Sequence, residues 1–176
     1  MGWVCVDEVS GGLVWVPEGE QDTAAEAPPA PPLVVTREDV ESLLVDSGSI
    51  VVQPNQSWVL VNAETVVFTD AAEHVLTTQL LGRDVELRVV PVRYTWDFGE
   101  GSDPVVGTDP GAPWPDHTVS HTYRAAGEAR VTLSTEWDAS FRVEGAGPWL
   151  PVTGRPVTVA TSDPFDVVTA VPRLVG

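Results

Sequence analysis

The chain is 176 residues long, 43% hydrophobic and strongly acidic, with 26 Asp and Glu against nine basic residues for a formal charge of −17. Such a length suits one domain or one and a half, and such an apolar content supports a packed core rather than global disorder. The charge excludes nucleic acid and anionic membrane surfaces, both of which need clustered cations, and no apolar run of 18 or more residues is present to insert in a bilayer.

Abundant Val, few helix-friendly runs, 16 Pro and 15 Gly favour an all-β fold. Residues 1–17 alternate loosely around Gly11-Gly12 and predict a strand or hairpin anchored by Trp3 and Trp15. Residues 18–35 contain Ala-Ala-Glu-Ala-Pro-Pro-Ala-Pro-Pro and predict an extended linker. A short helix is predicted over 36–46, capped by Thr36 and Asp39, with Val40, Leu43 and Leu44 on one face and Gly48 as its stop. Strands follow at 50–52, 57–62, 65–69 and 75–79, completing a β-rich region over 36–83.

Between Asp84 and Tyr94 the apolar alternation changes phase: Val85, Leu87 and Val89 share one parity, Val90, Val92, Tyr94 and Trp96 the other. A proline inside a strand is confined to an edge or bulge, so Pro91 predicts two strands, or one broken at a bulge, passing between sheets. Residues 102–115 read as a long Gly/Pro/Asp loop and 118–123 as a strand. Ala129, Val131, Leu133, Thr135 and Trp137 form the cleanest alternation; Asp138-Ala139 then predicts a hairpin turn into 141–144. The last strands are predicted at 156–161 and 166–171.

The most telling stretch is Tyr94-Thr95-Trp96-Asp97-Phe98-Gly99-Glu100-Gly101, the end of a buried strand entering a tight acidic turn whose glycines supply positive φ. Downstream come His121-Thr122-Tyr123 and Gly127. Together these resemble the polycystic kidney disease (PKD) domain, marked by a WDFGDG-like stretch followed by an HTY-like stretch before a Gly turn. The resemblance covers 84–176 and implies an immunoglobulin-like β-sandwich, non-catalytic and mostly extracellular, entered through a Pro-containing segment. It also implies that His121 bonds a loop carbonyl and packs beneath the acidic turn. Glu100 stands where the family more often has Asp, and its longer side chain is expected to weaken an Asx-type turn. The overall layout is similar to actinobacterial PKD-containing surface proteins. An all-Arg, Lys-free basic set reads as GC-rich coding bias, as in high-GC actinobacteria or a halophilic archaeon. Cell-surface or extracellular placement is implied by the resemblance, although Met1–Val4 shows no signal peptide, so an exported chain would have lost its leader from this sequence.

No enzymatic constellation is present. Asp97-Phe98-Gly99 matches a kinase tripeptide, but a kinase needs a strand lysine and this chain has no lysine. Gly-x-Ser-x-Gly and His-Glu-x-x-His are absent. His117 and His121, four apart on a strand, would lie about 13 Å apart by rise, too far for one metal. Calcium is a weak candidate cofactor at Asp97, Glu100 and Asp103, with Asp109 and Asp116 nearby; the alternative is that Asp97 braces its own turn. Cys5 is alone, so no intrachain disulfide forms; it is either an inert buried thiol or pairs with a partner. Trp96 and Trp137 are expected in the core, while Trp114 and Trp149, beside prolines in loops, are the candidate ligand contacts. The expected function is a non-catalytic surface module for protein–protein contact, with cell-envelope polysaccharide as the alternative partner and a carboxylate-site enzyme fragment as the remote one.

Overall fold

The computed structural model describes residues 33–43, 47–54, 56–80 and 82–170. The expectations for the hairpin over 1–17, for most of the linker, and for Cys5, Leu44–Asp46 and Val171 lie outside these residues. The fold below is that of the unit Val34–Gly176.

Among the described residues one helix, α1 (Arg37–Leu43), precedes twelve strands: β1 (Ile50–Gln53), β2 (Trp58–Leu60), β3 (Glu64–Thr69), β4 (His74–Leu80), β5 (Arg83–Asp97), β6 (Val105–Gly107), β7 (Ser120–Thr122), β8 (Gly127–Ala129), β9 (Thr132–Val143), β10 (Ala146–Pro151), β11 (Val157–Thr161) and β12 (Phe165–Val168). They form a β-sandwich from a six-stranded sheet built on β5 and β9 and two three-stranded sheets ordered β1-β3-β7 and β2-β12-β8. All pairs are antiparallel except β2 with β12.

The capping pair forms as expected: the Thr36 N–H and hydroxyl donate to Asp39 Oδ2 at 2.9 and 2.8 Å. Seven residues cannot hold a helix alone. Here α1 docks, with Val40 fully buried, Arg37 N–H donating to Thr153 O, and Glu41 accepting the Val157 N–H.

The phase slip at Pro91 is a bulge, and β5 does not pass between sheets. It pairs with β9 throughout, Val85 opposite Val143 and Trp96 opposite Leu133. Between Pro91 and Arg93 two steps on β5 oppose one on β9, so Val92 is the extra residue. The parity change therefore keeps Val85, Leu87, Val89, Tyr94 and Trp96 all buried against Leu133, Thr135, Trp137 and Phe141 of β9.

Other expectations are corrected. β9 runs straight through Asp138-Ala139, which pair with Val90 and Val89, and continues to Phe141, buried opposite Leu87. The turn comes at Glu144-Gly145, both at positive φ. The loop over 102–115 contains β6, which extends the sheet beside Tyr94–Trp96. Trp149 lies on β10 rather than in a loop. The region 36–83 is joined to the strands after Asp84 by the β4–β5, β3–β7 and β2–β12 pairings.

Deleting Val92 would put Tyr94 and Trp96 on the wrong face. Each buried aromatic contributes about 3–5 kcal/mol, against a whole-domain stability of about 5–15 kcal/mol. The deletion should abolish the cooperative thermal transition, whereas Val92→Ala should retain it, as read by circular dichroism.

Candidate functional site

The acidic turn grows out of the end of β5. Asp97 Oδ1 accepts the Gly99 N–H at 2.9 Å, closing an Asx turn, so the expected bracing role of Asp97 is realised. Gly99 has φ 77°, and a Cβ there would stand 3.0 Å from Arg130 O, so only glycine fits without strain. Gly101 also has positive φ.

Phe98 turns inward and is fully buried. The His121 ring stacks on it at 4.3 Å and 9° between planes, and Tyr123 meets His121 edge-on at 4.7 Å. Tyr123 Oη donates to Phe98 O at 3.3 Å. Burial pushes the Tyr123 phenol up, with Glu100 and Asp97 adding to the shift, so it stays a protonated donor.

Glu100 does more than the sequence indicates. One oxygen lies 3.0 Å from His121 Nε2 and the other accepts the Arg124 N–H at 3.2 Å. His121 is thus held beneath the turn, as expected, but by a carboxylate rather than a loop carbonyl. The longer side chain does not loosen the Asx turn; it spans from the turn to the strand bearing His121. Thr122 pairs with Glu64 in the β3–β7 ladder, and Gly127 opens β8.

Asp97, Glu100 and Asp103 are not brought together as a calcium site. Asp97 Oδ1 and both Glu100 oxygens are engaged by N–H donors or His121, and Asp103 points to solvent. Asp109 accepts the Gly111 N–H. Among the described residues no group of three or more His, Cys, Asp and Glu side chains is placed to hold a metal.

A second polar cluster was not legible in the sequence. Glu64 on β3 accepts from Ser120 Oγ at 2.6 Å and lies 3.2 Å from His117 Nε2. These partners, led by Ser120, hold its carboxyl below the usual range. The two histidines therefore serve different carboxylates. The carboxylate sits between the hydroxyl and the imidazole, so Ser120 bonds Glu64 and not His117, and the order differs from the Ser–His–carboxylate relay.

Beside Glu64 opens a cleft of about 330 Å³ lined by Gln53, Pro54, Glu64, Val66 and Trp114. Trp114 is 69% exposed, as its Pro-flanked position suggests, and its backbone N–H donates to Gln53 Oε1 at 2.8 Å. Trp149 differs: the Arg142 guanidinium lies 4.7 Å over its ring and the residue is half-buried. Trp96 and Trp137 are in the core, and the Trp137 indole N–H donates to Thr158 Oγ1 at 2.9 Å.

Gly99→Ala should destabilise the fold by about 1–3 kcal/mol through backbone strain, and Tyr123→Phe by about 1 kcal/mol through the lost hydrogen bond. Asp103→Ala should stay within about 0.5 kcal/mol of the parent. Urea unfolding, run with calcium and with a chelator, checks all three, and the midpoints should not depend on calcium.

A family model for the PKD domain matches residues 49–140, from just before β1 into β9. The match begins well upstream of Asp84, in line with the strand pairings that tie β1–β4 to the later strands. Neither the curated proteins nor the solved structures include a match to this chain. With more than half of its length matched, and with the Trp96–Gly101 turn locked onto His121 and Tyr123, the chain belongs to the PKD domain family of non-catalytic, immunoglobulin-like and typically extracellular binding modules.

Proposed function

We propose that this chain is a non-catalytic assembly module at the cell surface, and that it takes up an extended segment of a partner protein along β4. The carrying observation is the character of that strand. His74-Val-Leu-Thr-Thr-Gln-Leu80 pairs with β5 along seven residues, and among the described residues no backbone hydrogen bond reaches it from the other side. It contains no proline, Asp, Glu or Arg, and Val75 is 52% exposed. Natural sheets guard their edges with short strands, charges, prolines or covering segments. The other edges of this sheet carry such guards: β6 has three residues, β10 contains Pro148 and Pro151, and the first N–H of β11 is bonded to Glu41 of α1. An unguarded edge of seven residues offers a template for strand addition. The formal charge of −17 favours a partner segment with positive charge. The Lys-free composition and the overall layout support the envelope of a high-GC actinobacterium as the setting.

A second reading, attachment to a cell-envelope polysaccharide, is favoured by the exposed indole of Trp114.

A photo-crosslinking residue at Thr77 should capture one envelope protein at stoichiometric yield. Thr77→Lys with Gln79→Lys, opposite Glu86 and Asp84 in the β4–β5 ladder, should cut capture tenfold or more while leaving thermal stability unchanged. Equal retention of that protein by the double variant would contradict strand addition at β4.

A further inference from the structure

We infer that the cleft between Trp114 and Glu64 is a binding site for a neutral sugar ring, stacked on the indole and hydrogen-bonded at its edge by Glu64 and Gln53. This rests on the polysaccharide reading and assigns it a site and a ligand class.

The indole is exposed, and the backbone that carries it is held. Thr69 N–H donates to Pro110 O at 3.0 Å, Gly111 N–H to Asp109 Oδ1 at 2.9 Å and Trp114 N–H to Gln53 Oε1 at 2.8 Å. Gly111, at φ 81°, lies so close to β3 that a Cβ would stand 2.5 Å from Val67 O. The loop bearing Trp114 is therefore stapled to β1 and β3, and a ligand meets a surface that needs little ordering.

The polar groups suit hydroxyls. Glu64 is oriented by Ser120 and His117, and each carboxylate oxygen keeps acceptor capacity beyond those partners. Gln53 uses its oxygen on Trp114 N–H, which leaves its NH₂ as a donor. An acceptor and a donor beside a flat apolar face match a molecule with an apolar face and a hydroxylated edge. The volume, about 330 Å³, lies at the small end of ligand clefts.

A protein interface would need more apolar surface here. The other large exposed hydrophobic residues, such as Trp58, Val75, Val105 and Val159, lie on β2, β4, β6 and β11, none of which contributes to this cleft. Anionic glycans are disfavoured by Glu64 and by the overall charge. Trp149 is excluded from the site because Arg142 covers its ring.

The test is affinity electrophoresis of the intact chain in gels containing dextran, galactomannan or hydroxyethylcellulose, with alginate as the anionic counterpart and polysaccharide extracted from the native envelope as a further probe. At least one neutral polymer should retard the chain. Trp114→Ala should weaken that retardation about tenfold or more, Glu64→Gln should weaken it less, and Trp58→Ala and Trp149→Ala should leave it unchanged. Matching thermal midpoints across the variants separate lost binding from lost folding, and Trp114→Phe should retain part of the effect. Retardation by a neutral polymer that survives Trp114→Ala overturns the site while leaving the polysaccharide reading standing. No retardation by any neutral polymer or by the envelope extract overturns both. Retardation by alginate alone, or a cleft that takes up a proline-rich peptide instead, overturns the neutral-sugar assignment.

Discussion

The fold depends on one extra residue in one strand. β5 and β9 pair along almost their whole lengths, and a pairing that long must keep a single face turned to the core. β9 does so without interruption, through Leu133, Thr135, Trp137 and Phe141. β5 does so only because the step from Pro91 to Arg93 inserts Val92 and resets its parity. Pro91 has no N–H to donate to the ladder, so a bulge is where such a residue fits. Opposite it stands Trp137, whose indole N–H is anchored to Thr158 on the neighbouring β11.

Two consequences follow for function. Beyond the bulge, β5 delivers Trp96 to the core and ends at Asp97, where the Asx turn lets Phe98 point inward and Glu100 reach His121 and the Arg124 N–H. That clamp joins the large sheet to β7 and engages both Glu100 oxygens. Before the bulge, β5 carries β4, which among the described residues is the outer strand of this sheet. The two surfaces proposed for ligands belong to different sheets: the edge of β4 to the large one, and the Trp114 cleft to the β1–β3 region.

Much of this was legible in the sequence because it is local. The parity slip at Pro91, the Thr36–Asp39 cap, the glycines of the acidic turn and the bracing role of Asp97 each involve residues only a few positions apart. What escaped depends on distant partners. Asp138-Ala139 has turn composition, yet β5 holds it in a ladder. The strand β6 hides in a Gly/Pro/Asp-rich segment because its pairing partner, not its own composition, makes it a strand. Glu100 looks local in sequence, while its partners lie on the segment 121–124. Glu64 carried no signal, since its oxygens are oriented by His117 and Ser120, more than fifty residues away. Trp114 and Trp149 look alike in sequence, but Trp149 lies on β10 beneath the long side chain of Arg142 while Trp114 is exposed.

The most direct measurement is residue-resolved amide hydrogen exchange on the free protein. A sheet centred on β5 and β9 with an open β4 edge predicts the slowest exchange along β5 and β9. Along β4 it predicts alternation, with amides directed at β5 protected and those directed outward exchanging at near-solvent rates. Uniform protection of every β4 amide in the free protein would show that this edge is already paired, and would contradict its role as a docking strand.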